Sequence, residues 1–182
     1  MEKPTLQIVW IKRDLRTRDH APLAEAEALG LPYRVIFIFE PSMVAHPDCS
    51  NRHLRFQWQS IKDMEQRLNR PVDVFWGEAE AVFAALLDVY AVSKVFSYQE
   101  SGIEKSFLRD KAIAKLFAER GVAWQEFQRN GVLRGIKDRV DWDKRWFVTM
   151  AEPLIENHYR LSRFPQEEGP LLGSVTDDFA IP

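Results

Sequence analysis

The stretch Tyr33-Arg-Val-Ile-Phe-Ile-Phe39 decides the fold class of this 182-residue chain. It is rich in β-branched and aromatic residues and has no regular polar alternation, which is typical of a strand buried on both faces. Four further short apolar runs predict strands of the same character: Leu6–Ile11, Val72–Trp76, Lys94–Tyr98 and Val122–Phe127. Together these runs predict a parallel sheet that is covered by helices on both sides.

Segments with helical patterns separate the strands. They predict helices over Pro22–Leu29, Asn51–Leu68, Glu78–Tyr90 and the segment that ends at Gly121. Ser101 and Glu104 fit a capping box at the start of the last helix, because each side chain could satisfy a backbone N–H there. The alternation of strands and helices predicts an α/β protein with a Rossmann-like, doubly wound three-layer sandwich. Its five-stranded parallel sheet has the predicted order 3-2-1-4-5.

The pattern changes after the fifth strand. Val148–Tyr159 has the composition of one more helix, although Pro153 would break or kink it. Trp142 and Trp146 are four residues apart, so a helix would place both rings on one face. We expect that face to pack a terminal helix on the sheet. Residues 162–182 show little periodicity and are expected to form a linker or an extended tail.

Composition narrows the classes of function. The net charge of −2 argues against a nucleic-acid binder that works through a wholly basic surface. No apolar run approaches the roughly 20 residues that span a membrane, so we expect no membrane partner and a cytoplasmic location. Cys49 is the only cysteine, which excludes an internal disulfide framework. Motifs of dinucleotide dehydrogenases, P-loop NTPases and α/β-hydrolases do not occur.

The loops that follow the strands are the predicted ligand site. In open α/β sheets, ligands bind beyond the carboxyl ends of the strands. The polar residues in these loops are Lys12, Arg13, Asp14, Arg16, Glu40, Arg52, Arg55, Gln99 and Glu100. Arginines bind phosphate or carboxylate, and glutamates accept from ring N–H or ribose hydroxyl groups, so a planar ligand with an anionic tail would fit. The alternative is that Arg13, Asp14 and Arg16 form only a surface salt-bridge set.

One segment resembles a known family. Trp10-Ile-Lys-Arg-Asp-Leu-Arg-Thr-Arg-Asp-His-Ala-Pro-Leu23 is similar to the opening signature of the DNA photolyase/cryptochrome family, W-F-R-R-D-L-R and then D-N-x-A-L. Weaker matches follow at Phe37–Pro41, Arg52–Leu68, Val74–Glu78 and Phe107–Phe117, which contains Arg109-Asp110. The chain departs from the family at Ile11, Lys12, His20 and Glu40, where phenylalanine, arginine, asparagine and aspartate are usual. These departures indicate a divergent branch.

The resemblance implies a domain organisation and a pigment site. Residues 1–160 would be the N-terminal α/β domain, and 161–182 a linker toward a missing C-terminal helical domain that binds FAD. In the family, the α/β domain of many members binds an antenna pigment, which is methenyltetrahydrofolate, 8-hydroxy-5-deazaflavin or flavin mononucleotide (FMN). Carried over position by position, the pigment site consists of Arg13, Phe39, Glu40, Arg52, Gln99 and Glu100.

The implied function belongs to the longer parent protein. That parent would be a deoxyribodipyrimidine photolyase, which uses light and reduced FAD to repair pyrimidine dimers in damaged DNA. The chain by itself is expected to catalyse nothing. Three alternatives stay open: a fragment of a cryptochrome photoreceptor, a stand-alone nucleotide-binding module, and a domain whose pocket is empty and which only packs against the helical domain.

Overall fold

A computed structural model describes residues 3, 5–129, 131–132, 135, 137–159, 171 and 173–175. Five strands and six helices follow one another along these residues, with two consecutive helices between the second and third strands. The strands are β1 (Thr5–Ile11), β2 (Tyr33–Phe39), β3 (Val72–Trp76), β4 (Ala91–Tyr98) and β5 (Ala123–Phe127). The helices are α1 (Ala21–Leu29), α2 (Pro41–Val44), α3 (Asn51–Leu68), α4 (Ala79–Val89), α5 (Glu104–Arg120) and α6 (Trp142–Met150).

The sheet has the predicted topology. All four strand pairs are parallel, and the order is β3-β2-β1-β4-β5. In the centre of the sheet, Val9 of β1 lies opposite Val35 of β2 on one side and Phe96 of β4 on the other. The predicted doubly wound α/β fold is therefore confirmed. The carboxyl ends of all five strands meet at one edge of the sheet.

The hydrophobic core lies on both faces of the sheet, as the unbroken apolar runs predict. Trp10 of β1 packs with Phe83 of α4 and Phe117 of α5 on one face. The neighbouring residue Ile11 points to the other face, where it joins the cluster that contains Leu54 of α3. Successive side chains of a strand point to opposite faces, so only a strand that is apolar throughout can serve two helical layers.

Two predicted details of the helices are wrong. Helix α5 begins at Glu104 with Ile103 as its N-cap, and no side chain caps it. Ser101 lies two residues before that cap and is therefore too far from the helix for the predicted capping box. The last helix ends at Met150, so the predicted helix over Val148–Tyr159 does not form. Pro153 cannot continue a helix, and residues 153–159 carry no regular structure.

Residues 155–159 contact the loop between β1 and α1. The Asn157 side chain exchanges two 2.9 Å hydrogen bonds with the backbone of His20. The backbone N–H of Ile155 donates to Asp19 Oδ1 at 3.1 Å, and the Tyr159 hydroxyl donates to the backbone oxygen of Thr17. These bonds fasten the segment after α6 near the carboxyl end of β1.

Helix α6 itself packs differently from the prediction. The Trp142 and Trp146 rings do lie on one face, stacked with centroids 6.3 Å apart. No residue of α6 is buried, however, so the expected packing of this helix on the sheet is wrong. Within the predicted linker, the described residues 171 and 173–175 lie against β3, where the Val175 N–H donates to Val74. The division into a domain and a linker stays a prediction.

Candidate functional site

A cavity of about 650 Å³ opens at the carboxyl ends of β1 and β2. Helices α2 and α3 form one side of it, and the start of α5 closes the opposite side. Its apolar wall includes Ile11, Leu15, Phe37, Phe39, Met43, Val44 and Leu54. This volume and this mixture of apolar and polar lining are typical of small-molecule sites, which measure roughly 300–1,000 Å³.

Five of the six predicted site residues line this cavity. They are Arg13, Phe39, Glu40, Arg52 and Glu100. Gln99 does not line it, and its backbone N–H donates to Phe127 at 2.8 Å, which extends the pairing of β4 with β5. The structure thus brings together residues at or just after the carboxyl ends of β1, β2 and β4 and one from the start of α3, because parallel strands place their carboxyl ends at the same edge.

The carboxylates of Glu40 and Glu100 share a partner that sequence analysis did not include in the site. Arg109, in the second turn of α5, donates from Nη1 to Glu40 at 2.8 Å and from Nη2 to Glu100 at 2.7 Å. The guanidinium is only 10% exposed and lies 5.0 Å from the Trp10 ring. The Arg109-Asp110 match to the family signature was the one signal that could have identified it.

A second ion pair lies beside Arg109. Lys12 Nζ is 3.3 Å from Asp110 and 3.8 Å from Glu126, and its ammonium lies over the Trp10 ring at 4.4 Å. Burial lowers the pKa of Lys12, although Asp110 opposes that change. Lys12 thus takes the place of the arginine that is usual in the family, and its compact ammonium still reaches an acidic partner.

The charges at the floor of the cavity influence one another. Burial raises the pKa of Glu40, although the Arg109 cation partly offsets this effect. Burial of Arg109 would lower the pKa of its guanidinium, but the surrounding carboxylates of Glu40, Glu100 and Asp110 outweigh that cost and raise it. The floor therefore combines an arginine that stays charged with acidic groups held at bonding distance.

The alternative prediction of a surface salt-bridge set is wrong. Arg13 binds Glu100 at 2.8 Å, and Arg16 lies 3.4 Å from Asp19. Asp14 is 1% exposed and binds His20 Nε2 at 2.7 Å. Burial would raise the pKa of Asp14, but the hydrogen bonds from His20 and from the Lys12 backbone N–H hold it below the usual value.

The contacts of His20 explain why histidine can replace the asparagine that is usual in the family signature. Its Nδ1 accepts a 3.2 Å hydrogen bond from the Leu23 backbone N–H, which makes His20 the N-cap of α1. Asparagine, the usual residue here, is a preferred N-cap because its side-chain oxygen accepts the same bond. Since Nδ1 accepts, the ring donates to Asp14 through Nε2. The substitution preserves the cap and adds the buried pair with Asp14.

The mouth of the cavity is basic and exposed. The Arg13 side chain is 56% exposed, and Arg52 and His53 lie in the exposed first turn of α3. The positive end of the α3 dipole adds to their charge.

Among the described residues, no group of three His, Cys, Asp or Glu side chains could hold a metal ion. Within the same residues, no helix is long and apolar enough to cross a membrane.

Comparison with known proteins assigns the family. The DNA photolyase family matches residues 7–139, so this chain belongs to the DNA photolyase family. It is a photolyase-like N-terminal α/β domain, and the resemblance noted in the sequence is confirmed. The deoxyribodipyrimidine photo-lyase of Vibrio cholerae serotype O1 is 23% identical over 134 residues, which cover 70% of this chain and 29% of that protein. The chain thus spans less than a third of its relative.

Solved structures share the fold. A cryptochrome from Synechocystis sp. PCC6803 superposes with a TM-score of 0.67 at 16% identity, covering 86% of this chain and 36% of that one. An archaeal photolyase from Sulfolobus tokodaii, solved with two FAD molecules, gives 0.61 at 21% identity, with coverage of 84% and 36%. A class III photolyase from Agrobacterium tumefaciens gives 0.58 at 20% identity, with coverage of 70% and 26%.

Proposed function

We propose that the cavity binds a light-absorbing pigment and that this domain serves as the antenna of a photolyase. One observation carries the proposal. Five residues expected at a pigment site from the family signature line one cavity of about 650 Å³. The same cavity lies at the strand ends where the doubly wound fold places its ligands. Membership of a family that binds chromophores supports this assignment.

The shape and lining of the cavity suit a conjugated ring. Phe37, Phe39 and Leu54 offer an apolar wall, and aromatic side chains stack favourably on planar rings. An antenna needs a ring that is held rigidly and shielded from water, and it needs no acid, base or nucleophile. A largely apolar cavity with aromatic side chains in its wall suits such a ring.

The polar groups suit the two ends of such a pigment. Glu40 and Glu100 at the floor can accept hydrogen bonds from ring N–H groups. Arg13 and Arg52 at the mouth can bind a phosphate or carboxylate tail. Methenyltetrahydrofolate, 8-hydroxy-5-deazaflavin and FMN are the candidate pigments. The Sulfolobus tokodaii photolyase, whose structure implies a novel light-harvesting cofactor, supports a pigment in a related protein.

We extend the proposal to a longer protein in the cytoplasm. Its helical domain would bind FAD and damaged DNA, and excited reduced FAD would transfer an electron to a pyrimidine dimer. This chain would pass light energy to that FAD and would catalyse nothing itself. The proposal rests on the family and on the length of the Vibrio cholerae relative, of which this chain spans 29%.

The outer surface of α6 is our candidate for contact with the helical domain. Exposed apolar side chains lie on α6 and in the residues beside it, and they are Val140, Trp142, Phe147, Val148, Met150, Leu154 and Ile155. Exposed large apolar side chains concentrated in one segment are typical of an interaction site. The helical domain is the proposed occupant, because α6 follows directly after the family match and the relatives are much longer.

Absorption spectroscopy tests the pigment proposal. The purified chain is titrated with FMN, 8-hydroxy-5-deazaflavin and methenyltetrahydrofolate, and the visible spectrum is recorded. We expect one pigment to bind with a shifted band that Arg52→Ala or Glu100→Ala weakens. Arg67→Ala, near the carboxyl end of α3, is the control, because among the described residues Arg67 pairs with Asp63 one turn away on the same helix.

The three alternative functions predict other results in these binding experiments. Binding of AMP or ATP without affinity for any pigment would favour a stand-alone nucleotide-binding module. A spectrum that no added pigment changes would contradict the antenna role and leave a domain that only packs against the helical domain. A bound pigment in a full-length protein that does not repair dimers would favour a cryptochrome photoreceptor.

A further inference from the structure

The guanidinium of Arg109 is the common partner of two carboxylates that line the cavity. Nη1 donates to Glu40 Oε2 at 2.8 Å, and Nη2 donates to Glu100 Oε2 at 2.7 Å. Nε and Nη2 also donate to Asp110 Oδ1 at 3.1 and 2.8 Å. Arg109 therefore joins the carboxyl ends of β2 and β4 from its position on α5.

Each glutamate has a second contact that completes its orientation. Glu100 Oε1 lies 2.8 Å from Arg13 Nε, and Glu40 Oε1 accepts from the Ala79 N–H at 3.4 Å. A buried carboxylate without such partners would lose hydration and would sample several rotamers. A carboxylate has about four acceptor sites, so it can bind an arginine and a ligand together.

We propose that Arg109 is a positioning residue of the pigment site, which holds Glu40 and Glu100 so that their oxygens accept hydrogen bonds from N–H groups at the edge of the pigment ring. This inference rests on the proposed function. The three candidate pigments share a pyrimidinone ring with an N–H beside a carbonyl. One pair of oriented acceptors therefore serves any of them.

Arg109 also keeps the Glu40 carboxylate able to accept hydrogen bonds. Burial and the nearby Glu78 raise the pKa of Glu40, and Arg109 opposes both effects. The other charged or titratable groups that line the cavity or lie beside Arg109 include Lys12, Arg13, His46, Asp48, Arg52, His53, Glu100, Asp110 and Glu126. A protonated carboxyl has less capacity to accept hydrogen bonds. Removal of Arg109 would raise the pKa of Glu40 further and make pigment binding depend on pH.

The test compares Arg109→Gln and Arg109→Lys with Arg34→Gln. Arg34 is the control because, like Arg109, it is a buried arginine paired with a carboxylate. It binds Asp73 at 2.7 Å near the amino ends of β2 and β3, away from the cavity. The dissociation constant of FMN is measured by fluorescence from about pH 6 to about pH 9, where unperturbed glutamate stays ionised. The same series is run with the deazaflavin and the folate, and thermal unfolding is recorded for each variant.

If Arg109 positions the two glutamates, we expect a specific set of results. Arg109→Gln should weaken pigment binding by roughly 10–100-fold at the lowest pH, the size of effect seen for groups that orient the ligands of a metal ion. Affinity should recover as the pH rises. In the wild type, affinity should not depend on pH over this range. Arg109→Lys should show the same independence but only part of the affinity, because an ammonium cannot match the arginine fork. Arg34→Gln should lower the unfolding temperature and leave binding unchanged.

A double variant separates positioning from general damage to the fold. If Arg109 acts through Glu40, the effect of Arg109→Gln should shrink in a Glu40→Gln background, because coupled residues are not additive. A loss of affinity that is the same at every pH and in both backgrounds would overturn the positioning role. Unchanged binding in Arg109→Gln would also overturn it, while leaving the pigment site in place. Failure of the wild-type chain to bind any pigment would overturn the proposed function as well.

Discussion

Asp14 and His20 form a buried pair, with 2.7 Å between Asp14 Oδ2 and His20 Nε2. His20 is at the same time the N-cap of α1. One ring therefore satisfies a buried carboxylate in the loop after β1 and a backbone N–H at the start of the next helix. This loop carries Arg13, so the pair fixes the part of the chain that leads into the cavity.

His20→Ala should destabilise the domain by about 2–4 kcal/mol, because it removes a helix cap and leaves Asp14 buried without its partner. His20→Asn should cost about 1–3 kcal/mol, since asparagine keeps the cap but leaves Asp14 without its histidine partner. Urea unfolding measures both variants. Equal stability of His20→Ala and the wild type would show that the pair does not stabilise the loop.

The Asp14 carboxylate should make stability depend on pH in the acid range. Its pKa is lowered in the folded protein, so its contribution is present above the unfolded pKa of about 4 and is lost as the pH falls through the folded value. Asp14→Asn should therefore reduce the free energy of unfolding at neutral pH and flatten its decline in acid. A variant that keeps the wild-type slope below pH about 4 would contradict this assignment.

Much of the fold follows from local patterns. The apolar run Tyr33–Phe39 coincides with β2, because a strand with two buried faces leaves an unbroken signal. β4 begins at Ala91, three residues before its predicted start, because Ser93 and Lys94 lie where the strand is less buried and interrupt the apolar pattern. The end of α6 was less predictable, since residues 155–159 instead bind the distant loop before α1.

Only the site residues that follow the strands could be predicted from the sequence. Glu40 directly follows β2 and Glu100 is the second residue after β4, so topology alone brings them together. Arg109 lies inside α5, and only the packing of that helix on the sheet brings its guanidinium to both carboxylates. The alternative prediction placed Asp14 in a surface salt-bridge set, because the sequence does not reveal that His20 caps α1 and buries Asp14.

The aromatic cluster on the α4 and α5 face should dominate the stability of the core. The rings of Phe83 and Phe117 meet edge to face with centroids 4.9 Å apart. Phe83→Ala should cost about 3–5 kcal/mol, as for other fully buried phenylalanines. A double-mutant cycle with Phe117→Ala should give a coupling of about 0.5–1.5 kcal/mol. Additive losses would contradict direct contact between the two rings.

The apolar surface of α6 should matter for association but not for folding. Phe147 and Val148 are 65% and 67% exposed. Replacing both with serine should change the free energy of unfolding by no more than about 0.5 kcal/mol per residue, as for other surface sites. Binding of a hydrophobic dye should fall, and so should self-association in analytical ultracentrifugation. A large loss of stability would place this surface in the core instead.

Pigments with a blocked ring N–H should bind poorly. FMN methylated at the pyrimidinone nitrogen keeps its phosphate and its ring but cannot donate to Glu40 or Glu100. We expect its dissociation constant to rise by about tenfold or more, because a buried acceptor loses its partner. Equal affinity of the two flavins, measured by fluorescence titration, would place recognition at the phosphate end alone.

A crystal structure of this chain grown with the pigment that it binds most tightly tests the central claim most directly. We expect the ring inside the cavity against Phe39, with a ring nitrogen about 2.7–3.2 Å from an oxygen of Glu40 or Glu100. Its anionic tail should lie toward Arg52. A pigment bound elsewhere, or an empty cavity at saturating pigment, would contradict the assignment of this site.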